Sequence, residues 1–541
     1  MFKKYFNICI FILIFVSNIL YSQYPPPSAN FRIFPSTVTQ TEPIVCISPV
    51  NNMILFGSSY TINTSTGFIS EGVYTSTNGG YNWFGSDVCN GTNISNHGGD
   101  PGVSIDKNGV FILTHIGKNS VIAGVYAHYS TNLGTNWSNA FTITTQQPED
   151  KGTSSTDNNP LSPFYGRTYA IWANVLLSPV AIQFSYTSNS GINWTSPQTI
   201  NPAPPQRSSG GYIESATDGT VYACWSGTAT PYPTIYAGFA SSSNGGSSWN
   251  VQQNIYPISG IEPNLPTKSN IRVNSIPRFD IDKSGSSRNG WIYMVSAERG
   301  TGGDSADIIL HRSTNLGLNW STGIRVNQDA HNNGKMQFCP AICVDSTGAV
   351  NVLYFDDRNT SSDSSEIMLS RSKDGGNTWN EFIISTHRFK PKPITGAVAN
   401  YQGDFITIIS GGNKLFTYWM DDYSGIYQCW SSVIDLSTIG IRKIETEIPN
   451  SFLLSQNYPN PFNPVTKIIF TVPKNGLASL KIYDIRGVEI ASPVNEELNT
   501  GKYEISFDAS NLASGMYFYK LDFTSSDGNK FSSTKKLVVL K

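Results

Sequence analysis

The amino-acid sequence predicts an all-β protein in which four-stranded units repeat and a small antiparallel β-sandwich follows. Three observations predict this fold: an eight-residue phrase that occurs six times, a hairpin pattern upstream of most copies, and a change of character after about Leu436. The composition agrees, because charged residues make up only 14% of the chain while Gly, Ser, Thr, Asn and aromatic residues are abundant.

The repeated phrase has the pattern S/T-x-N/D-x-G-x-x-W and first occurs as "STNGGYNW" from Ser76. The Asn or Asp accepts hydrogen bonds from N–H groups of a turn, Gly supplies a positive φ, and Trp packs beneath the turn. Each copy is therefore predicted to be a hairpin turn. The Asn or Asp and Trp positions of the six copies are Asn78 and Trp83, Asn132 and Trp137, Asn189 and Trp194, Asn244 and Trp249, Asn315 and Trp320, and Asp374 and Trp379.

A second hairpin pattern precedes most copies, as in "GGYIESATDGTVYACW" from Gly210 and "CPAICVDSTGAVNVLYF" from Cys339. Each unit thus contains four antiparallel strands, with the phrase between the third and the fourth, which indicates a β-propeller. A further unit from Asp404 supplies only three strands, and the segment near Phe31 is expected to add the fourth and close the ring. We predict seven blades, with six as the alternative if the unit containing "TDNNPLSPFYGRTYAIW" is irregular.

Residues 1–22 have the layout of a secretory signal peptide, with Lys3 and Lys4 before an apolar run from Ile8 to Val16. This run is too short for a membrane span, and no later stretch reaches about 18 apolar residues, so we expect no membrane span in the mature chain. The net charge of −2 and the lack of a basic stripe exclude nucleic acid as an expected partner. The cysteines are expected to be buried free thiols, with one or two disulfides as the alternative.

The C-terminal region begins after a predicted linker at 437–451. Alternating apolar residues in "KIIFTV", "SLKIYDI", "YEISFDA" and "MYFYKLDF" predict a small antiparallel β-sandwich over 452–541. The elements "YPNPFNP", "YDIRG", "SGMYFYKL" and "KKLVVLK" closely resemble the type A C-terminal sorting domain of the type IX secretion system. This resemblance implies the type IX machinery as a partner and a secreted or outer-membrane-surface location on a bacterium.

The six phrases resemble Asp-boxes, the repeats of sialidase-like propellers, and they cover most of the predicted propeller at 24–436. Five of the six carry Asn where the family has Asp. In this family the boxes are structural turns that lie away from the usual site on the axis, so they imply an architecture and not a chemistry.

A working sialidase of this family would hold the carboxylate of its substrate with three arginines, because Arg offers a fixed bidentate fork. It would use a Tyr paired with a Glu as nucleophile and an Asp as acid/base. The segment "NMILFGSSYTINTSTG" contains no Asp for the last role, which leaves Glu42 and Asp100 as substitutes. The resemblance thus implies Arg32, Arg278 and Arg358 for substrate binding, and Tyr401, Glu214, Asp100 and Glu42 for catalysis.

We therefore expect a secreted or surface-displayed propeller that recognises an extracellular glycan or protein. An exo-glycosidase of sialidase type and a structural adhesin or matrix component are the alternatives. Convergence of the arginines opposite Tyr401 and Glu214 would favour the enzyme. No cofactor is expected, with Ca²⁺ as the alternative because "DDRNTSSDSSE" and "GTGGDSAD" are acidic loops rich in oxygen ligands.

Overall fold

The computed structural model describes residues 30–436 except 95, 120–121, 146–148, 231, 301 and 362, together with 441–445 and 449–540 except 464 and 510–511. The expected signal peptide at 1–22 lies outside the described residues. The chain folds into two compact units, one of which ends at Leu436 while the other follows it. Where the chain is described, its regular elements are all β-strands.

The first unit contains seven four-stranded antiparallel sheets, which we number as blades 1 to 7. In chain order, the strands up to blade 3 are β1 (Phe31–Arg32), β2 (Thr39–Ile47), β3 (Leu55–Asn63), β4 (Phe68–Ser76), β5 (Phe84–Ser86), β6 (Asn96–Ile105), β7 (Phe111–Asn119), β8 (Ile122–Ser130), β9 (Phe141–Thr144), β10 (Glu149–Thr156), β11 (Thr168–Asn174), β12 (Ala181–Thr187) and β13 (Gln198–Thr199). Blade 1 is β2–β5, blade 2 is β6–β9 and blade 3 is β10–β13.

Blades 4 to 6 repeat this order, and blade 7 combines three late strands with β1. The strands are β14 (Arg207–Ser215), β15 (Val221–Thr228), β16 (Thr234–Ser242), β17 (Asn250–Pro257), β18 (Arg278–Ile281), β19 (Ile292–Glu298), β20 (Asp307–Ser313), β21 (Ile324–Arg325), β22 (Gln337–Val344), β23 (Val350–Asp356), β24 (Glu366–Ser372), β25 (Asn380–Ile383), β26 (Thr407–Gly411), β27 (Lys414–Asp421) and β28 (Gln428–Asp435).

The ring closes through β1, whose Phe31 lies opposite Ser431 and whose Arg32 lies opposite Trp430 on β28. The first strands of successive blades pack against one another around the whole ring, including β2 with β26, and so surround its axis. The predictions of seven blades and of closure by the segment near Phe31 are confirmed. We call the end of the axis where these strands begin the front, and the end where they finish the back.

The repeated phrase lies between the third and fourth strands of blades 1 to 6, as predicted. In the first copy Ser76 Oγ accepts the Gly80 N–H at 2.9 Å, and Asn78 Oδ1 accepts the Asn82 N–H at 2.9 Å. The other five copies repeat both bonds with their own residues. The phrase recurs because two short side chains satisfy turn N–H groups that no strand partner reaches.

The Trp of the phrase contacts the preceding blade of the ring in blades 1 to 5. Trp83 of blade 1 meets the Tyr418 ring of blade 7 at a centroid distance of 5.7 Å. Trp249 of blade 4 meets Phe184 of blade 3 at 5.1 Å. The apolar clusters accordingly join neighbouring blades. The Trp therefore stabilises the packing between blades as well as the turn above it.

The C-terminal unit contains two four-stranded sheets, in the orders β29-β34-β31-β30 and β33-β32-β35-β36. Their strands are β29 (Ile441–Glu445), β30 (Leu453–Leu454), β31 (Val465–Val472), β32 (Gly476–Tyr483), β33 (Glu489–Leu498), β34 (Gly501–Asp508), β35 (Gly515–Ser525) and β36 (Lys530–Val539). One buried core that includes Ile468, Leu480 and Tyr519 draws on both sheets. The predicted β-sandwich is confirmed, but the predicted linker at 437–451 is wrong in part, because β29 lies within it and pairs with β34.

The cysteines of the described chain are free thiols, so the expectation of unpaired cysteines is confirmed. Cys46 and Cys339 are half-buried, and the other four are buried. Burial raises the pKa of the Cys89 and Cys224 thiols to about 12, which makes them poor nucleophiles at neutral pH.

Candidate functional site

An axial cavity of about 540 Å³ lies towards the back of the propeller. The C-terminal halves of the first strands, with the turns that follow them, form its wall. Blades 3 to 5 supply most of its polar groups, which include Ser154, Ser155, Thr156, Asn158, Asn159, Tyr212, Glu214, Asp280 and Lys283. Blades 6, 7 and 1 supply mainly apolar side chains, which include Ile342, Val344, Ile409, Ile44 and Ile47. The cavity thus has one polar and one apolar wall.

The acidic groups of this cavity are satisfied by the protein itself. Glu214 accepts hydrogen bonds from Lys283 Nζ at 2.6 Å and from Ser155 Oγ at 2.9 Å. Asp280 accepts the N–H groups of Val344 and Ile281, both at 2.7 Å. Burial raises the pKa of Asp280 to about 6, although nearby Lys283 acts in the opposite direction. The polar wall therefore offers a mixture of donors and acceptors without an excess of one charge.

The three arginines predicted to bind substrate do not converge. Arg278 lines the cavity, with its guanidinium 4.9 Å from the centroid of the Phe405 ring. Arg32 lies on β1, the outer strand of blade 7. Arg358 is buried in ion pairs with Asp356 at 2.7 Å and Glu381 at 2.5 Å. Only Arg278 faces the axial cavity. Arg32 lies on the outer strand of its blade, and Arg358 is paired with buried carboxylates.

A second group of polar residues lies at the front, and we call Glu42, Tyr60, Glu71, Asp100 and Tyr401 the acid–tyrosine cluster. The Tyr60 and Tyr401 rings lie 6.1 Å apart in an edge-to-face arrangement. Burial raises the pKa of Tyr401, and the charges of Glu42 and Asp100 raise it further. The structure therefore brings together three of the four predicted catalytic residues, Tyr401, Asp100 and Glu42.

Glu214, the predicted partner of Tyr401, is not part of this cluster. It lies near the end of β14, and its carboxylate is held by Lys283 and Ser155 at the axial cavity. Tyr401 precedes β26 at the opposite end of the first strands. The structure thus does not form the predicted Tyr–Glu pair, because the two residues lie at different heights along the axis.

The backbone at the front carries unusual dihedral angles. Glu42, Asp100, Gly210 and Cys339 have φ of 54°, 52°, 65° and 56°. Each lies at a shift of register between the first two strands of its blade. A left-handed residue other than Gly costs roughly 1–2 kcal/mol, and bulges often orient side chains beside functional sites. These four equivalent positions therefore share a repeated bulge that sets the direction of Glu42 and Asp100.

The cation nearest to Tyr401 is already paired. Arg272 lies over the Tyr401 ring at 4.7 Å and forms an ion pair with Asp404 at 2.5 Å. Glu42 Oε1 in turn accepts the Asp404 N–H at 3.0 Å. The Arg272 fork is thus held by Asp404, and the largely buried acid–tyrosine cluster consists of carboxyl and phenol groups beside this paired cation.

Glu71 gives this cluster a measurable pH dependence. It is fully buried, and its pKa is raised well above 4.5 by burial and by the charges of Asp100 and Glu42. Such a group destabilises the fold as the pH rises above 4.5, its ordinary value, because the folded state resists ionisation. We expect Glu71→Gln to be more stable than the unchanged protein at pH 8 and equal to it at pH 4, as measured by urea unfolding.

Asp218→Asn is the matched control, because Asp218 is exposed and the change removes a carboxylate at little cost in shape. We expect this control to show no comparable gain in the free energy of unfolding between pH 4 and pH 8. An equal stability of Glu71→Gln and the unchanged protein at pH 8 would contradict the assignment of Glu71 as a strained buried acid.

Tyr60, Glu71, Asp280 and Lys283 were not predicted from the sequence. Tyr60 lies in the segment "NMILFGSSYTINTSTG", whose notable feature was its lack of an Asp, and Glu71 stands within the strand "FISEGVYTS". A Glu in the middle of a largely buried strand was the available signal for Glu71, because carboxylates are rarely buried without a role. Lys283 carries no such signal, since lysines are common in hairpin turns.

In the two acidic loops expected as the Ca²⁺ alternative, three carboxylates form ion pairs with Lys or Arg side chains of the protein. Asp357 pairs with Lys268 at 2.6 Å, and Asp307 pairs with Arg325 at 2.7 Å. Asp363 forms an ion pair with Lys390. Among the residues that the structure describes, the one group with metal-ligand proximity is formed by histidines of blade 2.

The family described as a secretion system C-terminal sorting domain matches residues 456–540. The C-terminal unit is a type IX sorting domain. The protein is therefore exported to the surface or the surroundings of a bacterium, and its C-terminal unit is the part that the secretion machinery recognises. Within the described chain, no helix has the length and apolar character needed to cross a membrane.

The chain also resembles solved structures at low identity. An ulvan lyase of a polysaccharide lyase family is 11% identical, with coverage of 77% of this chain and 94% of its own and a TM-score of 0.41. An α-L-arabinofuranosidase of Fusarium graminearum is 10% identical, with coverage of 76% and 98% and a TM-score of 0.42. The leech intramolecular trans-sialidase is 11% identical, with coverage of 67% and 70% and a TM-score of 0.41. No curated protein sequence matches the chain significantly.

Proposed function

We propose that the exported propeller binds a neutral extracellular glycan in its axial cavity. The observation that carries this proposal is a cavity of about 540 Å³ whose acids Glu214 and Asp280 have internal partners and whose Lys283 is paired with Glu214. Arg278 packs on the rings of Tyr212 and Phe405, and most of the remaining polar groups are hydroxyls and amides. Ligand sites in proteins commonly enclose about 300–1,000 Å³ and combine apolar surface with a few oriented polar groups. The axial cavity has both the size and this division of surface.

The two walls suit the two kinds of surface on a sugar ring. Blades 3 to 5 offer donors and acceptors, such as Thr156 and Asn158, that match ring hydroxyls. Tyr212 adds an aromatic side chain, and Ile44 and Val344 add apolar surface that suits the C–H face of a sugar. A flat hydrophobic ligand would leave the polar wall without partners, so a polyhydroxylated ligand fits best.

The placement of cations favours a neutral glycan over an acidic one. A sugar carboxylate is best held by the bidentate fork of arginine. Arg278 alone of the three predicted arginines lines the cavity, and Lys283 is held by Glu214. The proposal therefore favours a neutral sugar over sialic acid, the substrate class of the sialidase-type alternative.

A glycan array probed with the purified full chain tests this proposal. We expect binding to one or more neutral oligosaccharides. We expect no gain in affinity when the same oligosaccharide carries a terminal sialic acid. Binding confined to sialylated or other anionic glycans would contradict the proposal, and so would a chain that binds no glycan on the array.

A second candidate function is a glycosidase at the acid–tyrosine cluster. It is favoured by one observation, the assembly of Tyr401 with Glu42 and Asp100 at the front. Since burial and these carboxylates raise the pKa of Tyr401, its phenol needs a base such as Glu42 to become a nucleophile. Hydrolysis of fluorogenic glycosides that disappears in Tyr401→Phe would support this candidate, and unchanged hydrolysis in that variant would contradict it.

A further inference from the structure

Three histidines of blade 2 lie together on consecutive strands. His97 is on β6, His115 on β7 and His128 on β8, and all three are buried, with 5%, 1% and 0% of their surface exposed. His128 lies opposite Leu113, two residues before His115 on the same face, and His97 lies opposite Gly117, two residues after it. One ring nitrogen of each histidine lies within 4.8 Å of the other two.

The hydrogen bonds fix which nitrogens are bare. His115 Nδ1 lies 2.7 Å from the Ile116 carbonyl oxygen, and His128 Nδ1 lies 2.9 Å from the Ser138 carbonyl oxygen. A carbonyl oxygen only accepts, so both Nδ1 atoms carry the proton. Both Nε2 atoms are therefore unprotonated, and each has a lone pair. Neither Nε2 has a hydrogen-bond partner, and His97 Nδ1 has none either, although all three atoms are buried.

This arrangement is the one that metal-binding histidines adopt. A ligating imidazole usually donates its second ring N–H to a backbone carbonyl or a carboxylate, which fixes the ring and its tautomer. Burial lowers the pKa of all three rings, that of His97 to about 3, so they are neutral at physiological pH. Metal ligation requires this neutral form, and unpartnered buried nitrogens are otherwise unfavourable.

We propose that His97, His115 and His128 bind one divalent transition-metal cation, for which Zn²⁺ is the natural probe. Imidazole suits Zn²⁺, and three histidines form one of its known ligand sets. The rings are now stacked within 2° to 7° of parallel, with centroid distances of 4.1 to 6.0 Å. Three nitrogens on one Zn²⁺ lie about 3.3 Å apart at bond lengths of about 2.0–2.1 Å, so the rings turn about the soft Cβ–Cγ torsion on binding.

The proposed site ties together the three inner strands of one blade. It lies outside the axial cavity and the acid–tyrosine cluster, so it concerns the stability of blade 2 rather than glycan binding. Its ligands come from positions 18 and 13 residues apart in the sequence, which no zinc-motif spacing describes.

X-ray absorption of the full chain, stripped of metal and reloaded with one equivalent of Zn²⁺, tests the site without any substitution. We expect a stoichiometry of one, a higher midpoint of thermal unfolding, and a spectrum with three imidazole nitrogens at about 2.0–2.1 Å. Failure of the chain to retain Zn²⁺, or a spectrum with fewer than three imidazoles, would overturn the proposal.

His128→Gln adds a second measurement, and His387→Gln is its matched control. The His387 side chain is 7% exposed, but it pairs with Asp421 of blade 7 at 2.9 Å. We expect Zn²⁺ binding by calorimetry to weaken more than about 100-fold in His128→Gln, since even second-shell partners are worth about 10–100-fold, and to be unchanged in His387→Gln. An unchanged Kd in His128→Gln would overturn the proposal, and if that variant fails to fold, the absorption spectrum of the unchanged chain decides.

Discussion

Deletion of residues 456–540 is expected to abolish appearance of the propeller outside the cell. The deleted segment is the sorting domain, and it contains most of the buried core of the C-terminal unit. A bacterium with a type IX system that expresses the deletion should retain the protein in the periplasm. Immunoblotting of periplasmic, surface and medium fractions measures the distribution.

Two controls separate sorting from folding. The propeller has its own buried clusters between blades, so we expect the retained protein to resist proteolysis as the full chain does. Val488→Ser changes an exposed residue of the sorting domain outside the elements that carry the resemblance, and it should leave export intact. Normal export of the deleted chain would contradict the assignment of a sorting role to residues 456–540.

Lys268→Met is expected to produce the largest loss of stability from a single substitution. Lys268 Nζ lies 2.6 Å from Asp357 Oδ2, and both side chains are 1% exposed. Removal of one partner of such a pair leaves a buried charge and costs about 3–5 kcal/mol. Urea unfolding of the two proteins at pH 7 measures the difference in the free energy of unfolding.

Lys390→Met is the matched control, because Lys390 pairs with Asp363 but is 62% exposed. Exposed pairs contribute about 0–1 kcal/mol, so this variant should retain nearly full stability. Adding Asp357→Asn to Lys268→Met should restore part of the loss, since no uncompensated charge then stays buried. A loss in Lys268→Met no greater than that in Lys390→Met would show that solvent reaches the pair.

The architecture could be predicted because its signals are local and repeated. Each phrase from Ser76 to Trp83 or its equivalents specifies its own turn with side chains only a few residues apart. Ring closure through Phe31 followed from counting three strands after Asp404. The contact of Trp83 with the preceding blade was not predicted, because it depends on how blades pack and not on the turn itself.

The candidate site could be predicted only in part, because position along the axis depends on strand register. Tyr401, Asp100 and Glu42 lie near strand beginnings, and the alignment of those beginnings placed them together. Glu214 lies four residues beyond Gly210 in the sequence, which at about 3.3 Å per residue is roughly 13 Å further along the strand. That distance moves its carboxylate from the front of the propeller to the axial cavity.

The histidine group could not be predicted from the sequence either, again because it depends on strand register. His97, His115 and His128 are separated in the sequence by spacings that no metal motif shares. Their proximity arises from the pairing of β6 with β7 and of β7 with β8, including the bulge near Gly99. No sequence spacing predicts a register that contains such a bulge.

The most direct test of glycan binding in the axial cavity is calorimetry with Val344→Trp, using a neutral oligosaccharide that the unchanged chain binds. Val344 lines the cavity and is half-buried, so a larger side chain there would occupy ligand space. Val88→Trp makes the same change at an exposed position outside the cavity. We predict a loss of affinity of at least about tenfold (about 1.4 kcal/mol) in Val344→Trp and none in Val88→Trp. Equal affinities of both variants would contradict binding in this cavity.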